Sequence, residues 1–201
     1  MEGTMKVCVL TGQRQLEWTE REIPQPAAGE LQIKLEYVGI CGSDLHFFDQ
    51  GRLANWELDG PLALGHEPGG VVTAIGEGVT GFEVGDKVAI EPAVPCGKCE
   101  ACRTGHYNLC PDVKMLAIPH ERDGVFSEYC THDATMCYKL PENMDTMEGG
   151  LLEPLTVGMH GTELSDAKLG ETAIVLGCGC IGLCTICLLY TSPSPRDTER
   201  S

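Results

Sequence analysis

Cys96-Gly-Lys-Cys99-Glu-Ala-Cys102-Arg-Thr-Gly-His-Tyr-Asn-Leu-Cys110 sets four thiols within fifteen positions of a 201-residue chain. Gaps of two, two and seven residues let one short segment wrap a single tetrahedral ion. Soft sulfur donors suit Zn2+, and a shell closed by four of them leaves no position for a substrate. These cysteines are therefore read as a structural metal site. An iron–sulfur cluster is the rival, because Cys110-Pro111 also ends ferredoxin-type runs, although those have a shorter last gap. Met1 to Leu10 shows no basic flank leading into an apolar signal core, so a disulfide framework is the weaker reading of twelve cysteines. Thiolate ligands and inert buried thiols (Cys8, Cys130, Cys137, Cys178, Cys180, Cys184 and Cys187) fit a cytoplasmic chain better.

Outward from that segment the chain reads as ordinary globular protein, with 42% hydrophobic and 22% charged residues. Its formal net charge of −16 argues against nucleic acid or an anionic membrane as the partner. No apolar run reaches the roughly 18 residues of a membrane span. Short strands are expected at Met5–Leu10, Gln15–Trp18, Leu31–Tyr37, Val71–Ile75, Asp86–Ile90, Val125–Cys130 and Met136–Leu140, with glycine turns between them. The Leu31 run alternates apolar and polar side chains, as a half-buried strand does. That pattern predicts a compact β-barrel over 1–150, with the cysteine lobe at 92–114.

The pattern changes near Asp145. A helix is expected over Met147–Leu164 despite Pro154, followed by an apolar strand at Thr172–Gly177. The strand runs straight into Gly177-Cys-Gly179-Cys180-Ile181-Gly182 and an apolar helix, the opening of a dinucleotide-binding βαβ unit. Gly177 permits the tight turn, Gly179 a close backbone approach to pyrophosphate, and Gly182 close helix–strand packing. Residues 151–188 are thus the truncated start of a Rossmann domain, and 189–201, with Pro193 and Pro195, read as an artefactual or disordered tail that leaves the helix. The acidic residue that would choose NAD over NADP falls in that tail.

Cys41-Gly-Ser43-Asp44-Leu-His46 and Gly65-His66-Glu67-Pro-Gly-Gly70 supply sulfur, nitrogen and oxygen donors. Three protein ligands would leave an open metal position, but spacing alone does not join residues 25 positions apart. Their order, together with Val84-Gly-Asp-Lys-Val88, the four-cysteine lobe and the later glycine motif, resembles the zinc-dependent medium-chain dehydrogenases. Within that family the chain is similar to the polyol dehydrogenases, because Leu151-Leu-Glu153 offers a carboxylate where other branches commonly place a cysteine.

The resemblance implies a mixed β and α/β protein: a GroES-like β-barrel catalytic domain followed by the Rossmann start. It implies a catalytic zinc held by Cys41, His66 and Glu67, with Glu153 nearby, and a structural zinc on Cys96, Cys99, Cys102 and Cys110. It makes Asp44 the carboxylate that takes the other ring N–H of His66, and Ser43 and His46 a proton relay. Gly177, Gly179, Cys180, Ile181 and Gly182 would receive NAD or NADP, and the substrate would be a polyol or secondary alcohol oxidised by hydride transfer. The intact enzyme is expected to be a homo-oligomer, and this chain alone to be inactive. Two duller readings stand beside these. Ser43 caps a short helix, and the whole is a non-catalytic zinc-stabilised β-barrel used for binding or scaffolding.

Overall fold

The computed structural model describes residues 3–168 and 170–191, in two compact units, Met1–Leu151 and Leu152–Ser201. In the first, β1 (Thr4–Gly12) and β2 (Gln15–Glu22) form an antiparallel hairpin, and β3 (Glu30–Gly39) leads into α1 (Gly42–Gln50). Short strands β4 (Arg52–Leu53), β5 (Trp56–Glu57) and β6 (Leu62–Ala63) follow, then β7 (Glu67–Ile75) and β8 (Lys87–Ile90). The cysteine lobe, with β9 (Ala93–Val94), α2 (Glu100–Arg103) and β10 (Lys114–Met115), precedes β11 (Tyr129–Asp133) and β12 (Cys137–Lys139).

Five of these strands make one antiparallel sheet in the order β11-β3-β7-β8-β12, and a second sheet has the order β2-β1-β6. Leu31, Ile33, Leu35, Val72, Val88 and Ile90 form the main core, while Met5, Val7, Val9, Ile23 and Ala63 form the core under the hairpin. Alternation on β3 holds from Ile33 to Glu36; Tyr37, on the inward register, is exposed, and Gln32 breaks the pattern the other way. Gln32 is fully buried, and its amide donates to Pro24 O at 2.8 Å and accepts from Thr73 Oγ1 at 2.8 Å. A buried amide is tolerated because both ends are bonded.

The strand expected at Val125–Cys130 begins later, at Tyr129. Residues 124–128 instead stitch the two sheets. Gly124, Val125 and Phe126 donate to Ala63, Gly65 and Leu64 carbonyls, while Cys8 N–H donates to Phe126 O at 2.8 Å. This segment divides its hydrogen bonds between two neighbours and so cannot run as one ladder.

The helix expected from Met147 is α3 (Thr146–Leu164), which continues through Pro154 and straddles the two units. Its first turn lies so close to β7 that a Cβ on Gly69 would stand 1.8 Å from Thr146 O. In the second unit α4 (Cys180–Thr191) follows the glycine turn. The strand expected at Thr172–Gly177 is not formed, and Ile174 and Leu176 are exposed. A parallel strand exists only by pairing, and no strand pairs with this segment among the described residues. Leu189, Tyr190 and Thr191 continue α4 rather than leave it, since the first helix-breaking residue is Pro193. The remainder of the expected tail lies outside the described residues.

His132, on β11, is fully buried; its Nε2–H donates to Glu91 O at 2.8 Å. Burial and the Arg122 cation hold its pKa down to about 4, against 6.5 for a free imidazole. The unfolded chain therefore takes up the proton first as pH falls below 6.5. The contribution to stability is whole above that value, declines with falling pH and is lost below about 4. It is on the order of 3 kcal/mol. His132→Gln, whose amide can still donate to Glu91 O, should flatten the decline in unfolding free energy between pH 6.5 and 4 in urea titrations. An unchanged slope would refute this account.

Candidate metal centres

Cys41 is the N-cap of α1, with extended backbone at φ −82° and ψ 158°. Ser43 therefore lies inside the first turn and does not cap the helix. Asp44, 3% exposed, accepts the Cys41 N–H on Oδ2 at 2.9 Å and the Gly65 N–H on Oδ1 at 3.0 Å. One buried carboxylate thus ties the helix start to the loop ahead of His66. Its Oδ1 lies 3.8 Å from His66 Nδ1, beyond hydrogen-bond reach. Asp44 acts on the position of the imidazole through Gly65, rather than by accepting the expected ring N–H.

His66 and Glu67 are neighbours whose side chains would diverge in a flat strand. The ladder removes the difficulty by starting at Glu67, paired with Gly39, so that His66 stays outside it. Gly65 turns the chain there at φ +89°, and a Cβ on it would meet the Phe126 ring at 2.5 Å. Gly39 leaves room for the Glu67 carboxylate, because a Cβ there would lie 2.0 Å from Oε2. The outcome is that one donor atom from each of Cys41, His66 and Glu67 lies within 4.8 Å of the others.

His66 and Glu67 are 5% and 7% exposed, and no lysine or arginine among the described residues forms an ion pair with Glu67. A buried carboxylate beside a thiol and an imidazole is a fitting place for a cation, and the donor set suits Zn2+ with an open position. The residues present therefore fit the ion.

The lobe is built locally. Cys99 caps α2 and its Sγ accepts the Cys102 N–H at 3.4 Å, while Cys96 N–H donates to Cys110 Sγ at 3.3 Å. Sulfur–sulfur distances are 3.4 Å for Cys99–Cys102 and 4.0 Å for Cys96–Cys102, and all four sulfurs fall within 4.8 Å of one another. Thiolates bound at about 2.3 Å around one tetrahedral zinc stand about 3.8 Å apart, and so close a group has no room for a cluster of several irons. None of the four lobe cysteines is in a disulfide, so no disulfide competes.

The lobe's electrostatics point the same way. Backbone N–H groups of Lys98 and Cys99 pull Cys96 down to about 6, whereas desolvation and the thiol of Cys99 raise Cys102 to about 12. Four thiolates cannot ionise side by side without a cation to neutralise them.

Ser43 and His66 line a cavity of about 200 Å3 with Phe47, Trp56, Met115 and Ile118. His46 is exposed one turn further along α1, its Nδ1 3.3 Å from Gln50 Nε2. No hydrogen bond joins Ser43 to His46 among the described residues. Glu153 is half-buried on α3 in the second unit and does not belong to the three-donor group.

In the second unit Gly177 has φ +106°, and a Cβ on Gly182 would lie 2.1 Å from Gly177 O, whereas one on Gly179 would meet nothing within 4 Å. The tight turn, the close helix approach and the open face are thus divided among the three glycines. Cys180, Ile181 and Gly182 begin α4, where first-turn N–H groups have no partner within the helix. Not all the remaining thiols are buried, as the sequence led us to expect. Cys178, Cys180 and Cys187 are exposed because no sheet covers α4 among the described residues. Cys137 is buried and Cys130 half-buried in the first unit's sheet, and desolvation raises the Cys130 thiol to about 12 and pushes Cys137 up further.

Residues 27–142 match the alcohol dehydrogenase GroES-like domain. The chain belongs to that family. It is 50% identical over 185 residues to the uncharacterized zinc-type alcohol dehydrogenase-like protein YdjJ of Escherichia coli, covering 92% of this chain and 50% of the relative. It is 40% identical over 182 residues to sorbitol dehydrogenase of Bacillus subtilis, covering 90% and 51%. Among solved structures, the alcohol dehydrogenase rspB of Escherichia coli complexed with NADH superposes with a TM-score of 0.84 at 36% identity, covering 93% of this chain and 53% of that one. The chain spans about half the length of the curated relatives it matches. The GroES-like β fold with an α/β continuation, read from the motif order, is the family's fold.

Several residues of the GroES-like unit escaped the sequence reading. Gly39 carries no motif, and the cavity walls come from segments far apart in the chain. Gly39→Ala should displace the Glu67 carboxylate and weaken metal binding at the three-donor centre by about tenfold or more. Competition titration with a chelator measures this, and the four-cysteine centre should be unaffected. Unaltered affinity at both centres would contradict the role given to Gly39.

Proposed function

We propose that this chain carries the metal half of an NAD(P)-linked dehydrogenase that oxidises a polyol or secondary alcohol, a sugar alcohol to its ketose in the first instance. The observation that carries the reading is the convergence of Cys41, His66 and Glu67 within 4.8 Å beside a cavity, separate from the four-cysteine lobe. Names of relatives, sorbitol dehydrogenase among them, support the substrate class.

Cys41, His66 and Glu67 would hold zinc, which as a Lewis acid makes the substrate hydroxyl easier to deprotonate while the nicotinamide accepts hydride. Asp44 keeps the Cys41 and Gly65 backbones in place, so the donors do not need to reorganise. Ser43, in the cavity wall, would take the hydroxyl proton as it gives up its own. With no hydrogen bond between Ser43 and His46 among the described residues, that proton would reach the exposed His46 through solvent, an exchange for which an imidazole is suited near neutral pH. The apolar walls exclude water from the reacting carbon.

The turn at Gly177, Gly179 and Gly182 supports a cofactor site in which the first-turn N–H groups of α4, from Cys180 and Ile181, receive the pyrophosphate. Domains accordingly run 1–150 for the GroES-like part and 151–188 for the start of the Rossmann part. Four lobe cysteines gathered as a thiolate metal site rather than as disulfides support a reducing compartment, the cytoplasm. No helix among the described residues is long and apolar enough to cross a membrane.

Metal stoichiometry tests the reading. Two zinc ions per chain are expected, one yielding to a mild chelator, and Cys41→Ser should lose that one while the lobe keeps its own. A single tightly held ion that survives Cys41→Ser would overturn the dehydrogenase and leave a zinc-stabilised scaffold.

A further inference from the structure

The cavity beside the three-donor centre has walls that are apolar almost throughout, from Phe47, Leu53 and Trp56 to Val113 and Met115–Ile118. Only Ser43, His66 and Glu121 bring polar side chains to it, and no lysine or arginine among the described residues lines it. Glu121 is held in place there, since its Oε2 accepts the Met115 N–H at 2.9 Å. The next residue, Arg122, faces elsewhere. Its guanidinium donates to Thr131 O at 3.2 Å and lies against His132, and it lines two other cavities but not this one.

The charge balance of the centre adds to this. Cys41 as thiolate and Glu67 as carboxylate would neutralise a divalent ion, so the metal itself offers an incoming anion no net attraction. Glu121 is then the remaining formal charge in a cavity whose walls screen poorly. A neutral polyol meets it favourably, because a hydroxyl can donate to the carboxylate's remaining lone pairs. A phosphate ester or a sugar acid brings a second negative charge with no cation to receive it.

We propose that Glu121 is a specificity-determining residue that admits neutral and cationic alcohols to this cavity and rejects phosphorylated and carboxylated ones. The proposal rests on the dehydrogenase reading of the three-donor centre and names the charge class of its substrate.

The test uses the zinc-loaded full chain and three probes: sorbitol, its terminal phosphate ester and its terminal amine. Binding is followed by Trp56 emission in a Trp18→Phe background. The ester should bind about tenfold or more weaker than sorbitol, and the amine at least as tightly as sorbitol. Glu121→Gln keeps an oxygen for the Met115 N–H and should narrow the gap between sorbitol and ester to about threefold or less. Glu121→Asp, which keeps the charge, should preserve the discrimination. The proposal fails if the ester binds as well as sorbitol in the unsubstituted chain, or if Glu121→Gln leaves the gap unchanged. Binding of all three probes alike would remove the role of Glu121 and leave the dehydrogenase reading standing. Failure of every probe to bind would overturn that reading, and this inference with it.

Discussion

The two hydrogen bonds accepted by Asp44 are the constraint on which the front of the molecule depends. The carboxylate is buried and bonded to the backbone at Cys41 and at Gly65, two points that are 24 residues apart in sequence. Fixing both at once sets the start of α1 against the loop that carries His66. The ladder pair Gly39–Glu67 then closes the third side. None of these contacts is strong alone. They act together because a buried carboxylate without its donors would be costly, so the arrangement is held as a unit.

Hydrophobic packing makes that unit rigid. Phe47 on α1 packs with Leu10, Leu62, Leu64 and Ile118, which come from three other segments, and the stitching residues 124–128 bind Leu64 and Gly65. The donors therefore sit on a helix start and a strand start anchored in the same core, so the site is prepared before any ion arrives. The lobe needs less of this support. Its four sulfurs come from one short stretch and its caps are its own backbone N–H groups, although Tyr107 reaches out to Glu91, which Tyr138 also contacts. The contrast matches the two tasks proposed, one ion enclosed and one facing a cavity.

How much was legible in the sequence follows from the range over which each feature is decided. The hairpin and strands β3, β7, β8 and β12 were visible because alternation and glycine turns are local signals. The two-residue strands and the late start of β11 were not, since each depends on which neighbour receives its hydrogen bonds. The run Thr172–Gly177 was misread for the same reason: apolar composition allows a strand but only a partner makes one. The hydrogen bond expected from His66 to Asp44 is not formed: Asp44 bonds the backbone at Cys41 and Gly65, and its nearer oxygen stops 3.8 Å from the ring.

By itself the sequence determined which four cysteines share the lobe, the glycine pattern before α4 and, through the order of its motifs, the family. Each of these is written within one short segment or in the succession of segments. Tertiary structure alone decided that Cys41, His66 and Glu67 meet, that Gly39 must lack a side chain, and that the wall of the cavity carries Glu121 and no cation. These depend on backbone positions brought together across the sheet, where the identity of a residue matters only through what folding places beside it.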